Sequence, residues 1–128
     1  MSYKETIQIT DELVTKFADL TGDRNPIHMN NEYALTSVFK NRIAHGMLVA
    51  SFISRIIAEK YPGEGSIYVT QSLQFIKPCY INDFLDYKIT LVKQDGSKFF
   101  LKTEVFKNND LILDGEALII NYKHENKK

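Results

Sequence analysis

The chain has 128 residues, 44% apolar and 25% charged, a balance that fits one globular domain and excludes a disordered tract. Lys and Arg number 16 and so do Asp and Glu, so no basic excess exists to neutralise phosphates, and nucleic-acid binding has no compositional support. No apolar run reaches the ~18 residues of a membrane span, the opening MSYKETIQIT lacks a signal-peptide core, and the single Cys79 cannot close an internal disulfide, which together point to a reducing cytoplasm and no membrane partner.

YKETIQI alternates weakly and reads as an edge strand. Thr10 is placed to cap a helix, with Asp11 and Glu12 in its first turn. Leu13, Phe17 and Leu20 form its apolar stripe, and Gly22 ends it. Asn25-Pro26 biases the chain away from helix, and a short helix is expected at 32–36. A longer helix covers 46–60, before Pro62-Gly63. Its apolar residues Met47, Leu48, Val49, Phe52, Ile53, Ile56 and Ile57 nearly surround the axis, so it should be buried. From Ser66 the period changes to two, with Ile67, Val69, Leu73 and Phe75 on one face. Further strands are expected at 84–93, 98–107 and 111–122, joined by an Asp95-Gly96 hairpin and the turn-prone Asn108-Asn109-Asp110. Helices first and an antiparallel meander after give an α+β class, with a buried helix packed on one sheet. The chain 1–128 reads as a single domain, its polar tail 123–128 expected to fray.

The stretch GDRNPIHMNN sets Asp23 and His28 on either side of a Pro-stiffened turn. A carboxylate and an imidazole within reach of one water form an acid–base pair. His45 and Gly46 stand where the long helix begins, and helix N-termini expose N–H groups able to hold a carbonyl oxygen. Blander roles fit the same residues. Asp23 and Asn25 are ordinary turn formers, His28 suits a backbone-bonded structural role, and His45 suits a position leading into the helix. Asp23, His28 and His45 also make a two-His, one-carboxylate set, though their spacing matches no metal motif. Ser54 and Cys79 have no activating neighbour in sequence, which disfavours either as a nucleophile.

FADLTGDRNPIHMNNEYALTSVFKNRIAHGML resembles the signature of the MaoC-like, or (R)-specific enoyl-CoA hydratase, family: F-x-x-x-[ST]-G-D-x-N-P-[IL]-H, an acidic residue two further on, A-x-x-[ST]-x-F, then [IV]-[AV]-H-G-M. The likeness continues through PGEGSIYVTQSLQFIKPCYINDFL and so covers residues 17–85. It is similar above all to the short single-domain hydratases that supply (R)-3-hydroxyacyl-CoA, from fatty acid metabolism, for polyhydroxyalkanoate synthesis. The resemblance implies a hot-dog fold, an antiparallel sheet wrapped around one long central helix, and a homodimer. It places the catalytic pair on Asp23 and His28, the thioester-holding amide on Gly46, and a serine supporting the aspartate on Ser54. Ile57 shares a helix face with Ser54 and is expected to line the acyl pocket.

Two departures stand out. Asn30 replaces the usual acidic residue, at a position read as structural, and Asn82 replaces the glycine before Asp83, where Asn tolerates left-handed geometry. The implied reaction is (R)-specific hydration of a trans-2-enoyl-CoA, needing no metal and no cofactor beyond the coenzyme A thioester itself. Dehydration of a 3-hydroxyacyl group on acyl carrier protein, thioester hydrolysis on the same fold, and a non-catalytic binding module are the alternatives.

Overall fold

The computed structural model describes residues 1–124. Strand β1 (Ser2–Gln8) leads into helix α1 (Asp11–Thr21). The Thr10 hydroxyl caps α1, accepting from the Leu13 N–H at 3.2 Å. Gly22 ends it in the left-handed region (φ 82°), its N–H donating to the Ala18 carbonyl. The stripe runs one residue out of phase with the expected one. Val14 and Ala18 are buried, Leu13 and Phe17 half-buried, and Leu20 is 85% exposed.

Asn25-Pro26 opens a helix instead of preventing one. Pro26 sits in the first turn of α2 (Pro26–Met29), where its missing N–H is not needed, and the Asn25 side chain accepts from the Ile27 N–H. Asn30 caps α3 (Asn31–Thr36), accepting from the Tyr33 N–H at 2.9 Å, so its role is structural. Helix α4 (Gly46–Glu59) buries Leu48, Val49, Ala50, Ile53, Ile56 and Ile57, but Met47 is 57% exposed and Phe52 half-buried.

The sheet comprises β1, β2 (Ile67–Gln71), β3 (Gln74–Phe75), β4 (Phe84–Asp95), β5 (Lys98–Lys107) and β6 (Asp110–Ile120). Its order is β1-β4-β5-β6-β2, with β3 also on β6 and every pair antiparallel. Strands β4 to β6 form the meander, joined at Asp95-Gly96 and Asn108-Asn109. Both of those asparagines, and Asn82, adopt positive φ. The single alternating strand expected after Ser66 is instead two short strands. The register shifts between Tyr68 and Thr70, and Ile67, Tyr68, Val69 and Phe75 are all exposed. Lys123 and His124, expected to fray, belong to a 3-10 turn (Tyr122–His124) tied by the Lys123 N–H to Asn121 Oδ1; residues 125–128 lie outside the described residues.

The core fills the space between α4 and the inward residues Leu85, Tyr87, Ile89, Leu101, Val105, Leu113 and Ile119. The Tyr87 hydroxyl, fully buried, donates to the Val49 carbonyl at 2.6 Å and so pins α4 to β4. This contact fixes the helix start relative to the sheet.

Candidate active site

Three segments meet at the start of α4. The first is the turn after α1, built as a ladder of side-chain-to-backbone bonds. Thr21 Oγ1 accepts from the Asp23 N–H, Asp23 Oδ1 from the Asn25 N–H, and Asn25 Oδ1 from the Ile27 N–H. Short polar side chains hold such turns by capturing backbone donors. The Asp23 side chain stays exposed.

The second segment is α2, which carries His28 inward to 9% exposure. His28 Nδ1 lies 2.7 Å from the Ile43 carbonyl oxygen. A carbonyl only accepts, so Nδ1 carries the hydrogen and Nε2 keeps its lone pair. Burial, the largest cause, pushes the imidazole pKa below its ordinary 6.5; the Ile43 bond and the Asp23 charge oppose that shift, while His45 and Arg42 add to it. The neutral ring is thus favoured. Arg42 clamps this segment, donating to the His28 carbonyl at 2.6 Å and pairing with Asp11 at 2.6 Å.

The third segment is the strand-like approach to α4. Ile43 bridges to Tyr80, and the Ala44 N–H donates to the Cys79 carbonyl at 2.7 Å. His45 precedes the helix without a side-chain cap. The Gly46 N–H has no partner among the described residues, so the helix presents a free donor there. A Cβ on Gly46 would stand 2.8 Å from the Phe75 ring, so glycine permits the close seat of that aromatic over the helix start.

A carboxylate oxygen of Asp23 and one ring nitrogen each of His28 and His45 lie within 4.8 Å of one another. A metal could be considered for such a trio. One nitrogen of each ring bonds a carbonyl oxygen, which fixes both tautomers and leaves the lone pair on His28 Nε2 and on His45 Nδ1. His28 and Gly46 line one cavity of about 410 Å³, walled by Phe39, Val49, Phe75, Ile76 and Ile112 among others. Apolar walls with a few convergent polar groups are the usual form of a small-molecule site.

The structure therefore brings Asp23, His28 and Gly46 together. Ser54 and Ile57 lie elsewhere. Ser54 is exposed and lines a second groove with Phe17, Met47 and Tyr68; it makes no hydrogen bond to Asp23 among the described residues. Ile57 is 1% exposed within the core and does not line the cavity. Cys79 lines the cavity, but burial pushes its thiol up to about 12, so it holds no thiolate for nucleophilic work. The sequence reading missed Phe75, Phe39 and Arg42. Only pairing across the fold gives them their places; of the three, Phe39 has a local mark, as the last residue of A-x-x-[ST]-x-F.

Fold and site together define a hot-dog protein with an apolar cavity at the head of its central helix, His28 and Gly46 on its wall. The chain belongs to the MaoC-like domain family, whose model matches residues 1–112. It is 40% identical over 121 residues to an (R)-specific enoyl-CoA hydratase of Rhodospirillum rubrum, covering 93% of this chain and 83% of that one. It is 37% identical over 123 residues to a mitochondrial 3-hydroxyacyl-[acyl-carrier-protein] dehydratase of Arabidopsis thaliana, covering 91% and 73%. The fold superposes on an (R)-hydratase from A. caviae involved in PHA biosynthesis with a TM-score of 0.91, at 31% identity and 94% coverage of both chains. Among the described residues no helix is long and apolar enough to cross a membrane.

Proposed function

We propose that the protein hydrates trans-2-enoyl-CoA to (R)-3-hydroxyacyl-CoA. One observation carries this reading. His28 and the helix-starting Gly46 share the wall of one apolar cavity, with the Asp23 carboxylate within 4.8 Å of an imidazole nitrogen. Water's oxygen adds to C3, and one of its protons passes to the Asp23–His28 pair and returns to C2. The enzyme ends with the protonation it began with. His28 Nε2 orients the water, and the Gly46 N–H steadies negative charge on the thioester oxygen. A donor of that kind is worth about 2.7–4 kcal/mol in a transition state. These steps call on no metal or redox cofactor; coenzyme A is the carrier of the substrate.

The acyl chain enters the apolar cavity. Val49 lines it, and Ile57 lies two turns further along α4, sealed in the core. Ile57 is the residue whose removal would let the cavity deepen, and Ser54 belongs to the groove beside it. The protein works as a cytoplasmic homodimer. Support comes from the exposed apolar residues Met47, Val69, Phe75 and Ile76 around the site, which a second copy would cover.

The test is hydration of crotonyl-CoA followed at the enoyl-thioester absorbance, with the chirality of the product assigned. Absence of turnover with release of free thiol would point to a thioesterase. The plant relative favours one second reading, dehydration on acyl carrier protein. Comparing turnover of CoA and carrier-protein thioesters separates the two.

A further inference from the structure

His45 is almost fully buried, at 2% exposure, yet it is an imidazole with work left undone. Its Nε2 lies 2.9 Å from the Asp23 carbonyl oxygen, so Nε2 carries the hydrogen and donates. Its Nδ1 has no partner among the described residues. A buried polar atom left unpaired is a standing cost that native structures keep for a reason. The ring lies between two others, 4.8 Å from Phe17 and 4.0 Å from His28, centroid to centroid. The Asp23 carbonyl thus selects the tautomer with hydrogen on Nε2 and the lone pair on the buried Nδ1.

Its backbone links to the same chemistry. The His45 carbonyl accepts from the Leu48 and Val49 N–H groups and so starts α4, and the next peptide carries the Gly46 N–H. One residue thus joins the helix-start donor, the turn that bears Asp23, and the face of His28.

We propose that His45 is a positioning residue that, through its Nε2–H bond to the Asp23 carbonyl and its stack on His28, holds the base turn in register with the Gly46 amide. This rests on the hydratase reading given above. His45 touches no reacting atom; it acts by fixing where Asp23 stands. Misplacing a reacting group by an ångström can lower a rate by about 10²-fold.

Two variants separate the bond from the packing. His45→Phe keeps a ring between Phe17 and His28 but has no donor. His45→Gln keeps an N–H that can reach the Asp23 carbonyl but loses the ring. In crotonyl-CoA hydration, His45→Phe is expected to lose at least ~10-fold in kcat with KM within ~3-fold, and His45→Gln to recover most of that loss. The acid limb of kcat/KM should move only where the groups facing His28 change, which are His45, Asp23 and Arg42. Nitrogen-15 NMR of the wild-type imidazoles gives a measurement independent of variant folding. His45 should show the tautomer with hydrogen on Nε2. A His45 that carries its hydrogen on Nδ1 overturns the proposal. So does wild-type kcat in His45→Phe, or equal loss in both variants. An Asp23→Asn enzyme of undiminished kcat would sink the hydratase reading itself, whatever the His45 variants do.

Discussion

His28 owes its chemistry to two neighbours of different kinds. The Ile43 carbonyl fixes its tautomer, and burial against the cavity wall favours its neutral form. The acid limb of kcat/KM should therefore lie below the ordinary imidazole value of 6.5. The same shift has a stability sign. The unfolded chain takes up the proton first, so stability present above 6.5 falls as pH drops through that value toward the folded one. Urea titrations from pH 7.5 to 5 should show this slope, and His28→Gln should flatten it. Asp23→Asn and His28→Ala should each lower kcat by at least ~10²-fold while the protein stays folded, as general acid–base groups do. Acting as one unit, they should be strongly non-additive, the double variant little worse than the poorer single one. Steady-state hydration beside thermal melts checks all three, and retention of more than a tenth of wild-type kcat in Asp23→Asn would reduce the motif to a turn. Ile57→Ala should raise activity on eight-carbon relative to four-carbon thioesters and lower stability by about 2–5 kcal/mol. An unchanged chain-length profile in a folded variant would leave Ile57 a core residue alone.

Strand β3 is the element that closes the cavity. It keeps the register of β2 against β6, and at Ser72 between them the two backbones come close together. The Ser72 N–H donates to the Glu116 carbonyl and its hydroxyl accepts from the Glu116 N–H. A Cβ on Gly115 would stand 2.0 Å from the Ser72 carbonyl oxygen, so glycine is required there by close approach of two backbones. Gly115→Ala should cost about 1–3 kcal/mol, the range for overpacking, and more if β3 detaches. It should also loosen Phe75 over the site. Denaturant unfolding reads the first effect. Weakened binding of a crotonyl-CoA product analogue reads the second.

At the scale of the molecule, the cavity and the groove beside α4 are both lined in part by exposed apolar side chains. Met47, Tyr68, Val69, Phe75 and Ile76 are all exposed near the head of α4 and on β2 and β3, and β2 is an outer strand of the sheet. A second copy would bury this surface and shield the cavity mouth from water. Val69→Asp sets a charge on it and should shift the assembly toward monomer with loss of activity. Light scattering at micromolar concentration decides this; a fully active wild-type monomer would refute it.

Local chemistry made much of this protein legible in its sequence. Thr10, Gly22 and Asn82 act through their own side chains or backbone freedom, so each announced its place. The β4–β5–β6 meander and the buried α4 came from periodicity, which reports which face meets the core. The nearness of Asp23 and His28 was readable because their stretch is contiguous and its turn builds itself from nearest neighbours. At Asn25-Pro26 the sequence bias before proline competes with proline's suitability for a first helical turn, and the Asn25 side-chain cap on the Ile27 N–H favours the second. Leu20 and Met47 look like core residues in any helical wheel. Their exposure depends on which side of the helix the sheet occupies. The tautomers of His28 and His45, the seat of Phe75 over Gly46, and the placement of Ser54 and Ile57 away from the cavity each depend on partners distant in sequence. Side-chain type names the chemistry available, but only the tertiary structure sets the angstrom-scale distances that decide which groups share a water.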